Sequence, residues 1–362
     1  MMAKRVPIDT YCEKKIPTLQ KTYDGLIDYV DISSVDNTEK KIISYQTIES
    51  TDAPSRAKQL LQKGDVLVST VRPNLNAVAV VEEETENLMV GSTGYCVLRC
   101  KDNMDVRYLF NFCQSQYFVD DMSSQATGAS YPAVSNGIVR SALIPCYSIE
   151  EQREIAEKMD TVSELLALCK QQLAELDELI KSRFIELFGD PIRNTQNRPT
   201  TDFINVVKMQ RGFDLPVQDR QQDGDIPVFG SNGALDRHNV AKVQGGGVIT
   251  GRSGTIGKVY YTEGDYWPLN TSLFSVDTHG NNIIYLAYLL QMYDLSRFTE
   301  GTGVPTLNRN KFHDKPIIDV PLNEQEQFAV FVKQTDKSKL AVQQSIAELE
   351  ELKKSLMQQY FG

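Results

Sequence analysis

The chain repeats itself, and this repeat limits the possible folds more than any other feature of the sequence. Residues 171–189 align without gaps with residues 344–362, at an offset of 173 residues, and ten of the nineteen aligned positions are identical. Coiled-coil helices share composition, which is the alternative explanation for such a match. The repeat predicts that one structural unit, ending in a long helix, occurs twice.

The same offset continues upstream of the two helices, which argues against shared composition as the cause. It pairs Glu151-Gln152 with Glu324-Gln325, and Gly128–Pro132 with Gly301–Pro305. Each of these turns leads through an apolar, strand-like stretch into the Glu-Gln pair and the helix. Further upstream the similarity is weak and gapped, and it is confined to two pairs of segments: Asp65–Ser69 with Gly247–Thr250, and Gly91–Thr93 with Leu269–Thr271.

Residues 150–188 are predicted to form one long helix, because they contain no proline and no internal glycine. Apolar residues recur every seven positions over about four heptads, as in a coiled coil. Gly189, followed by Asp190-Pro191, is a helix stop signal. One seam of this pattern holds Met159, Leu166, Leu173, Ile180 and Leu187, and the other holds Val162, Cys169 and Leu176.

The second predicted helix spans residues 323–361, and its apolar stripe is interrupted by Lys339 and Lys353. Its best partner is the first helix, and since the intervening module must bring the chain back, antiparallel packing is the simplest geometry. Two such units would be related by a pseudo-two-fold axis with one module at each end of a rigid rod, a shape that suits two DNA half-sites. We expect the helix-pair or partner interface to hold Met159, Leu166, Leu173, Leu176, Ile180, Leu187, Val342, Ile346, Leu349 and Leu356.

The two modules, one before each long helix, are predicted to be mainly β with short helices. Apolar runs separated by turn clusters predict the strands, and helices are expected near Val106–Phe118 and Ile283–Leu295. We therefore predict an α+β fold divided into residues 1–148, 149–189, 190–322 and 323–362: module, helix, module, helix. The predicted strands are Asp65–Ser69, Ala77–Val81, Tyr95–Leu98, Gly247–Thr250, Lys258–Tyr261 and Ser272–Val276.

The predicted turns carry the side chains that contact phosphates and base edges. Arg, Lys, Asn, Ser and Thr supply those contacts, and glycine lets the backbone approach a duplex closely. For any single residue, a solvated β-turn is the alternative. The candidate DNA-binding residues are Arg72, Asn74, Asn76, Ser92, Thr93, Ser130, Tyr131, Arg211, Ser231, Asn232, Arg237, His238, Arg252, Ser253, Lys258, Asn270 and Thr271.

Motifs for catalysis are missing from the sequence. The segment 251–259 resembles a phosphate loop, but Arg252 stands where the first Walker glycine is needed and Val259 follows Lys258. The third glycine of a dinucleotide fingerprint is replaced by Thr306, and neither an amino-methyltransferase motif nor a nuclease motif is found. Six cysteines without a CxxC pair and three histidines make a structural zinc site unlikely. We expect a chain that is not catalytic by itself and holds no metal.

The formal net charge of −10, from 48 acidic and 38 basic residues, at first argues against DNA binding. Residues 150–190, with 11 acids and 5 bases, carry −6 of it, whereas residues 191–322 hold 13 of each. The second module is therefore neutral. Neither a signal peptide nor an apolar stretch of membrane-spanning length is visible, and scattered thiols fit a reducing compartment, so we expect a cytoplasmic protein.

Taken together, these segments resemble the specificity subunit of type I restriction-modification enzymes. In the second module the resemblance rests on IPVFGSNGALDRHN at 226–239, GRSGTIGKVYY at 251–261, WPLNT at 267–271 and TGVP at 302–305. In the first it rests on GDVLVSTVRPN at 64–74, TGASYPAVS at 127–135 and EEQREIAEKMD at 150–160. It covers nearly the whole chain, and the duplicated order of the motifs is more specific than any one of them.

The resemblance implies two target-recognition domains, which read the unlike halves of a split DNA sequence, and paired helices that set their spacing. It also implies two methyltransferase subunits on the helices, and motor-nuclease subunits for restriction. S-adenosylmethionine, ATP and Mg²⁺ would be held by those partners, which would also supply much of the attraction to phosphate. The alternatives are a coiled-coil adapter with protein-binding β modules and an enzyme with an unrecognised site.

Overall fold

The computed structural model describes residues 4–300 and 305–362. The described chain forms two compact units. Unit 1 takes the chain up to Cys169 together with Ser345–Gly362, and unit 2 is Lys170–Gln344. Each unit therefore contains one module, part of the central helix and part of the C-terminal helix. The Gly301–Val304 part of the predicted turn repeat lies outside the described residues.

The elements up to the central helix are, in chain order, β1 (Arg5–Pro7), β2 (Leu26–Val30), β3 (Val35–Asp36), β4 (Lys41–Ile42), β5 (Gln46–Glu49), β6 (Ala57–Leu60), β7 (Val66–Ser69), β8 (Val78–Val80), β9 (Leu88–Ser92), β10 (Tyr95–Leu98), α1 (Val106–Gln114), α2 (Gln116–Gln125), α3 (Asn136–Ser141), β11 (Leu143–Pro145) and α4 (Ile149–Phe188).

The elements that follow are β12 (Thr200–Asp202), α5 (Phe203–Val206), β13 (Lys208–Arg211), β14 (Ile226–Gly230), β15 (Gly233–His238), β16 (Gly247–Gly251), β17 (Val259–Thr262), β18 (Trp267–Pro268), β19 (Ser272–Asp277), α6 (Ile283–Tyr293), β20 (Thr299–Glu300), β21 (Thr306–Leu307), β22 (Pro316–Ile318) and α7 (Leu322–Phe361).

The two modules share a core topology, to which unit 1 adds β6 and unit 2 adds β13. In unit 1, β7 lies between β10 and β8, and in unit 2, β16 lies between β19 and β17, with all of these pairs antiparallel. A second sheet in each unit contains a parallel pair, β2 with β9 and β14 with β18. The internal repeat therefore extends through both modules, and the α+β prediction is confirmed.

The two long helices confirm the predicted ones, and each begins one residue earlier than expected. A capping box starts α4, in which Ser148 N–H donates to the Glu151 carboxylate at 2.8 Å and Glu151 N–H donates to Ser148 Oγ at 3.2 Å. At the other end, Gly189 takes a φ of +75°, the left-handed conformation of a helix C-cap.

Within each unit, the end of one long helix packs beside the start of the other. In unit 1, Phe361 joins the core that holds Ile155 and Met159 of α4. In unit 2, Phe188, the repeat counterpart of Phe361, lies 5.7 Å from Phe328 of α7 between ring centroids. The two helix segments in each unit are therefore antiparallel.

Each unit has a buried glutamine that accepts a hydrogen bond from the N-cap of a short helix. Gln152 Oε1 accepts from Asp105 N–H, the N-cap of α1, at 2.9 Å. Its repeat counterpart Gln325 accepts from Asn282 N–H, the N-cap of α6, at 2.8 Å. Both glutamines are 1 % exposed. The Glu-Gln pair found in the sequence therefore fixes the start of each long helix to the short helix of its module.

The structure differs from the sequence prediction in the helix at 106–118. It breaks at Ser115, whose hydroxyl accepts from Phe118 N–H at 3.2 Å and so begins a second helix. Lys339 does not disrupt the second long helix, because its ammonium lies 2.6 Å from the Asp177 carboxylate on α4, within unit 2.

Candidate nucleic-acid interface

In unit 2, four turns meet at one end of the two sheets that contain β14 and β19. They are the turns that hold Ser231, Arg252, Thr271 and Leu307. Arg252 N–H donates to Thr271 O at 2.9 Å, and Leu307 N–H donates to Arg252 O at 2.8 Å. A Cβ on Gly251 would lie 1.7 Å from Thr255 O in its own turn and 3.1 Å from Ser231 O in the β14–β15 turn, so only glycine fits at this position. Backbone bonds and close packing thus hold these turns together.

Most of the candidate residues of the second module lie at this end of the unit. Arg211 ends β13 beside Leu273, Asn232 sits in the β14–β15 turn, and Lys258 directly precedes β17. Asn232, Lys258, Arg211 and Thr271 are exposed, and the others are half-buried. We call Arg211, Ser231, Asn232, Arg252, Ser253, Lys258, Asn270 and Thr271 the unit 2 loop cluster.

The cluster combines cations with amide and hydroxyl groups. Asn270 Nδ2 donates to the Asp214 carboxylate, which orients its amide. Any residue other than glycine at position 212, next to Arg211, would clash, because its Cβ would lie 2.3 Å from Leu269 O. This end of unit 2 can therefore donate several hydrogen bonds from fixed backbone positions, as contacts to phosphates and base edges require.

Two candidate residues of unit 2 lie elsewhere. Arg237 and His238 are at the end of β15 that pairs with the start of β14, away from the β14–β15 turn. His238 is 8 % exposed, and its ring packs edge-on against Trp267 at 5.3 Å. The imidazole is therefore part of the interior, which corrects its prediction as a surface contact.

Unit 1 carries an equivalent group of turns. Thr70 N–H donates to Gly94 O at 2.9 Å, and Val134 N–H donates to Thr70 O at 2.9 Å. These bonds match those of Arg252 in unit 2, and Val134 and Leu307 are 173 residues apart. The backbone frame of the turns is thus the same in both units, although their side chains differ.

The exposed side chains on the unit 1 frame include a cation–π pair. Arg72, with a φ of +50°, holds its guanidinium 4.8 Å from the centroid of the Tyr131 ring, which is 68 % exposed. Its N–H donates to Pro132 O at 2.7 Å, so the two turns are joined. We call Arg72, Asn74, Thr93, Ser130 and Tyr131 the unit 1 loop cluster; all five are exposed.

Two further candidates of unit 1 are less accessible. Ser92 is 0 % exposed and its Oγ accepts from Gly94 N–H at 3.3 Å, so its role is to hold a turn, which corrects the prediction of a surface contact. Asn76 is half-buried, and its Nδ2 donates to Gln114 O at 3.4 Å.

Lys40, which was not among the predicted residues, contacts the loop that holds Asn76. Lys40 Nζ donates to Asn76 O at 2.5 Å. Burial, reinforced by the charge of Lys353, lowers the pKa of Lys40 to about 8. Lys40 lies in the polar run 36–41 of the β3–β4 hairpin, and nothing in that run distinguishes it from an ordinary surface turn.

The predicted helix-interface residues are all at least partly covered. Met159, Leu166 and Ile180 are buried, and the remaining seven are half-buried. The helices also expose leucines that the prediction did not include. Leu179 and Leu352, which are repeat counterparts, are 49 % and 46 % exposed. Leu179 lies outside the two seams of the heptad pattern, whereas Leu352 belongs to the apolar stripe of the second helix.

Two further features of the described residues concern metal binding and membranes. His, Cys, Asp and Glu side chains there do not gather in any group of three or more that could bind a metal ion. Among the helices of the same residues, none is both long enough and apolar enough to cross a membrane.

Comparison with known proteins assigns the sequence to a family. The family of type I restriction modification DNA specificity domains matches residues 9–178 and 193–351, one match for each half of the repeat. The HindI specificity subunit of Haemophilus influenzae is 27 % identical over 180 residues, which are 47 % of this chain and 38 % of that protein. The MjaVIII specificity subunit of Methanocaldococcus jannaschii is 21 % identical over 166 residues, 44 % of this chain and 39 % of that protein.

Each of these two matches spans about two fifths of the relative's length. The fold is also seen in solved structures. A chain from a study of assembly and conformational transition in the type I R-M system has a TM-score of 0.65 at 23 % identity, covering 99 % of this chain and 97 % of its own. The S subunit from M. genitalium has a TM-score of 0.64 at 15 % identity, covering 99 % and 96 %. With both halves of its repeat matched, this chain belongs to the family of type I restriction-modification DNA specificity proteins.

Proposed function

We propose that this chain is the DNA-recognition subunit of a type I restriction-modification complex, in which each unit reads one half of a bipartite, asymmetric target. The observation that carries the proposal is the shared backbone frame: Thr70 in unit 1 and Arg252 in unit 2 make equivalent bonds to equivalent turns. The side chains on that frame differ, with Arg72 and Tyr131 on one and Asn232 and Arg252 on the other. Equal frames with unlike side chains suit unlike half-sites.

The contacts would be direct ones in the major groove and to phosphate. Arginine pairs with two acceptors of guanine, and asparagine with adenine, whereas lysine, serine and threonine bind phosphate oxygens. The chain's charge of −10 disfavours tight binding by the chain alone. We expect the partner subunits to add basic surface, and the complex to bind DNA with a steep dependence on salt.

The chain itself would carry no catalysis. Two methyltransferase subunits with S-adenosylmethionine would modify adenine, and motor-nuclease subunits with ATP and Mg²⁺ would cut, all in the cytoplasm where the DNA lies. Support for two docking positions comes from Leu179 and Leu352, because equivalent leucines are exposed in units 2 and 1.

Arg252→Ala should weaken binding of the complex to its target about 5- to 150-fold, which corresponds to the roughly 1–3 kcal/mol of a bidentate base contact. The loss should come from one half-site, so that all bases at one or two positions of that half become equally acceptable. Asn232→Ala should relax the same half. The measurement is selection of a randomised duplex library by the complex with its methyltransferase subunits.

The matched control is Arg193→Ala, which removes the same charge from a side chain that is 81 % exposed and lies outside both loop clusters. It should leave the selected sequence unchanged. Unchanged selection by Arg252→Ala and Asn232→Ala as well would mean that the unit 2 loop cluster does not read DNA. Absence of any selected sequence with the wild-type complex would favour a protein-binding adapter.

Leu179→Arg and Leu352→Arg should each remove one methyltransferase subunit from the complex, and the double variant should remove both. A charged side chain at a buried apolar contact is left without a partner, which prevents docking. Light scattering gives the mass of each complex. The repeat-related and exposed Gln171→Arg and Gln344→Arg are the controls, and a full-sized complex with the double leucine variant would exclude this docking surface.

A further inference from the structure

Two cysteines that are 88 positions apart in the sequence face each other in unit 1. Cys12 and Cys100 form an antiparallel bridge, Cys12 just after the turn Ile8–Thr10 and Cys100 just after β10. Glu13 N–H donates to Arg99 O and Lys101 N–H donates to Tyr11 O, each at 2.9 Å. The hydrogen bonds therefore flank the cysteine pair and do not join its own backbone atoms.

This pattern defines a non-hydrogen-bonded pair, in which facing Cα atoms are about 4.5 Å apart and the side chains lie on the same face. Disulfides form at Cα separations of about 4.4–6.8 Å. The Cα spacing expected for the Cys12–Cys100 bridge thus falls within the range that disulfides use, although both residues are thiols.

The pKa values of the two thiols shift in opposite directions, and the hydrogen bond with Cys12, together with burial, raises the pKa of Cys100. The pKa of Cys12 is lowered, mainly by a hydrogen bond with the Cys100 thiol and further by the charges of Arg140 and Lys101, against the effect of burial. Burial instead raises the pKa of Cys96 to about 12. Cys12 is fully buried, and Cys100 is half-buried, so solvent reaches the pair from the Cys100 side.

We propose that Cys12 and Cys100 form a dithiol site that hydrogen peroxide oxidises to a disulfide within unit 1. The thiolate of one cysteine attacks a peroxide oxygen and becomes a sulfenic acid, and the hydroxide that leaves takes up a proton to become water. The second thiol attacks the sulfenic sulfur, the S–S bond forms, and a second water leaves. Two thiols and one peroxide give one disulfide and two waters.

The bond would fasten the N-terminal segment of unit 1 to the end of β10. This segment includes β1, and Arg5 donates to Phe361 O at 3.0 Å and to Gly362 O at 2.7 Å, so it also holds the end of α7. Arg140 ties it to α3 through Asp9 at 2.8 Å. Oxidation would therefore stabilise the contact between the N-terminal segment and the C-terminal long helix.

The test is to treat the native full-length chain with hydrogen peroxide and to map its disulfides by mass spectrometry after digestion without reductant. We expect one peptide pair linked through Cys12 and Cys100, lost on reduction, and a rise of the thermal transition of roughly 5–10 °C in the oxidised protein. Cys100→Ser should abolish both changes, while Cys96→Ser, a buried cysteine of β10, should keep them.

The exposed Cys146, whose Sγ lies 2.9 Å from the Tyr11 hydroxyl, is the competing target for oxidant. Exclusive oxidation of Cys146, or a Cys12–Cys100 pair that stays reduced while Cys146 is converted, would overturn the proposal. The mapping requires no DNA and no partner subunit, so its result is independent of DNA recognition.

Discussion

Phe361→Ala is expected to lower the free energy of unfolding of unit 1 by about 3–5 kcal/mol, the usual cost of removing a buried phenylalanine side chain. Phe361 is 0 % exposed, and its ring lies 5.3 Å from Tyr108 and 5.9 Å from Phe112 between centroids. The substitution would open a cavity where α7 meets α1, and so release the end of α7 from the core of unit 1.

Chemical denaturation monitored by hydrogen exchange of the β7 and β10 amides measures this loss in unit 1. Gln359→Ala is the control, because its exposed side chain lies two residues away on the same helix. Equal protection of these amides in Phe361→Ala and the wild type would mean that the end of α7 does not complete unit 1. Phe188→Ala should have the corresponding effect in unit 2.

Asp65→Ala should destabilise unit 1 by a similar amount, about 3–5 kcal/mol, because it leaves a buried guanidinium without its counter-charge. Arg99 Nε and Nη2 each donate to the Asp65 carboxylate at 2.8 Å. The Asp65 side chain is 0 % exposed and that of Arg99 is 10 % exposed. Asp65 directly precedes β7, which leads to the Arg72 turn, so the unit 1 loop cluster should lose order at the same time.

The double variant Asp65→Leu with Arg99→Met distinguishes the effect of the unpaired charge on stability from the effect of packing. It should recover most of the lost stability, because no unpaired charge stays buried. Urea unfolding of the two variants and the wild type measures the difference. If Asp65→Ala unfolds at the wild-type midpoint, the pair does not stabilise unit 1.

The long helices were predictable from the sequence because their signals are local. A heptad pattern, the absence of proline and the stop at Gly189 fix helix bounds within one residue. The break at Ser115 was missed, since an apolar run conceals an internal N-cap. Lys339 interrupts the apolar stripe of the second helix in the sequence. Its partner Asp177 could not be predicted, because it lies 162 positions away in the sequence.

The types of side chain at the candidate site could be predicted from the sequence. Their burial and their spatial arrangement could be predicted less well. Turn composition predicted Arg72, Asn232 and Arg252 as candidate contacts, and the structure places all three in the loop clusters. No local signal tells that Ser92 and His238 are covered by neighbouring strands. The parallel pairs β2–β9 and β14–β18 join segments far apart in the sequence, and strand patterns do not reveal such partners. The common frame of the two loop clusters therefore became visible only in the structure.

Methylome sequencing would show directly whether each unit reads its own half of one DNA target. Cells carrying this chain with its partner subunits should show one asymmetric adenine-methylated sequence, with two defined halves and a spacer of constant length. Arg72→Ala should relax one half only, and Arg252→Ala only the other. A single continuous sequence, or the same change in both halves with either variant, would contradict the account.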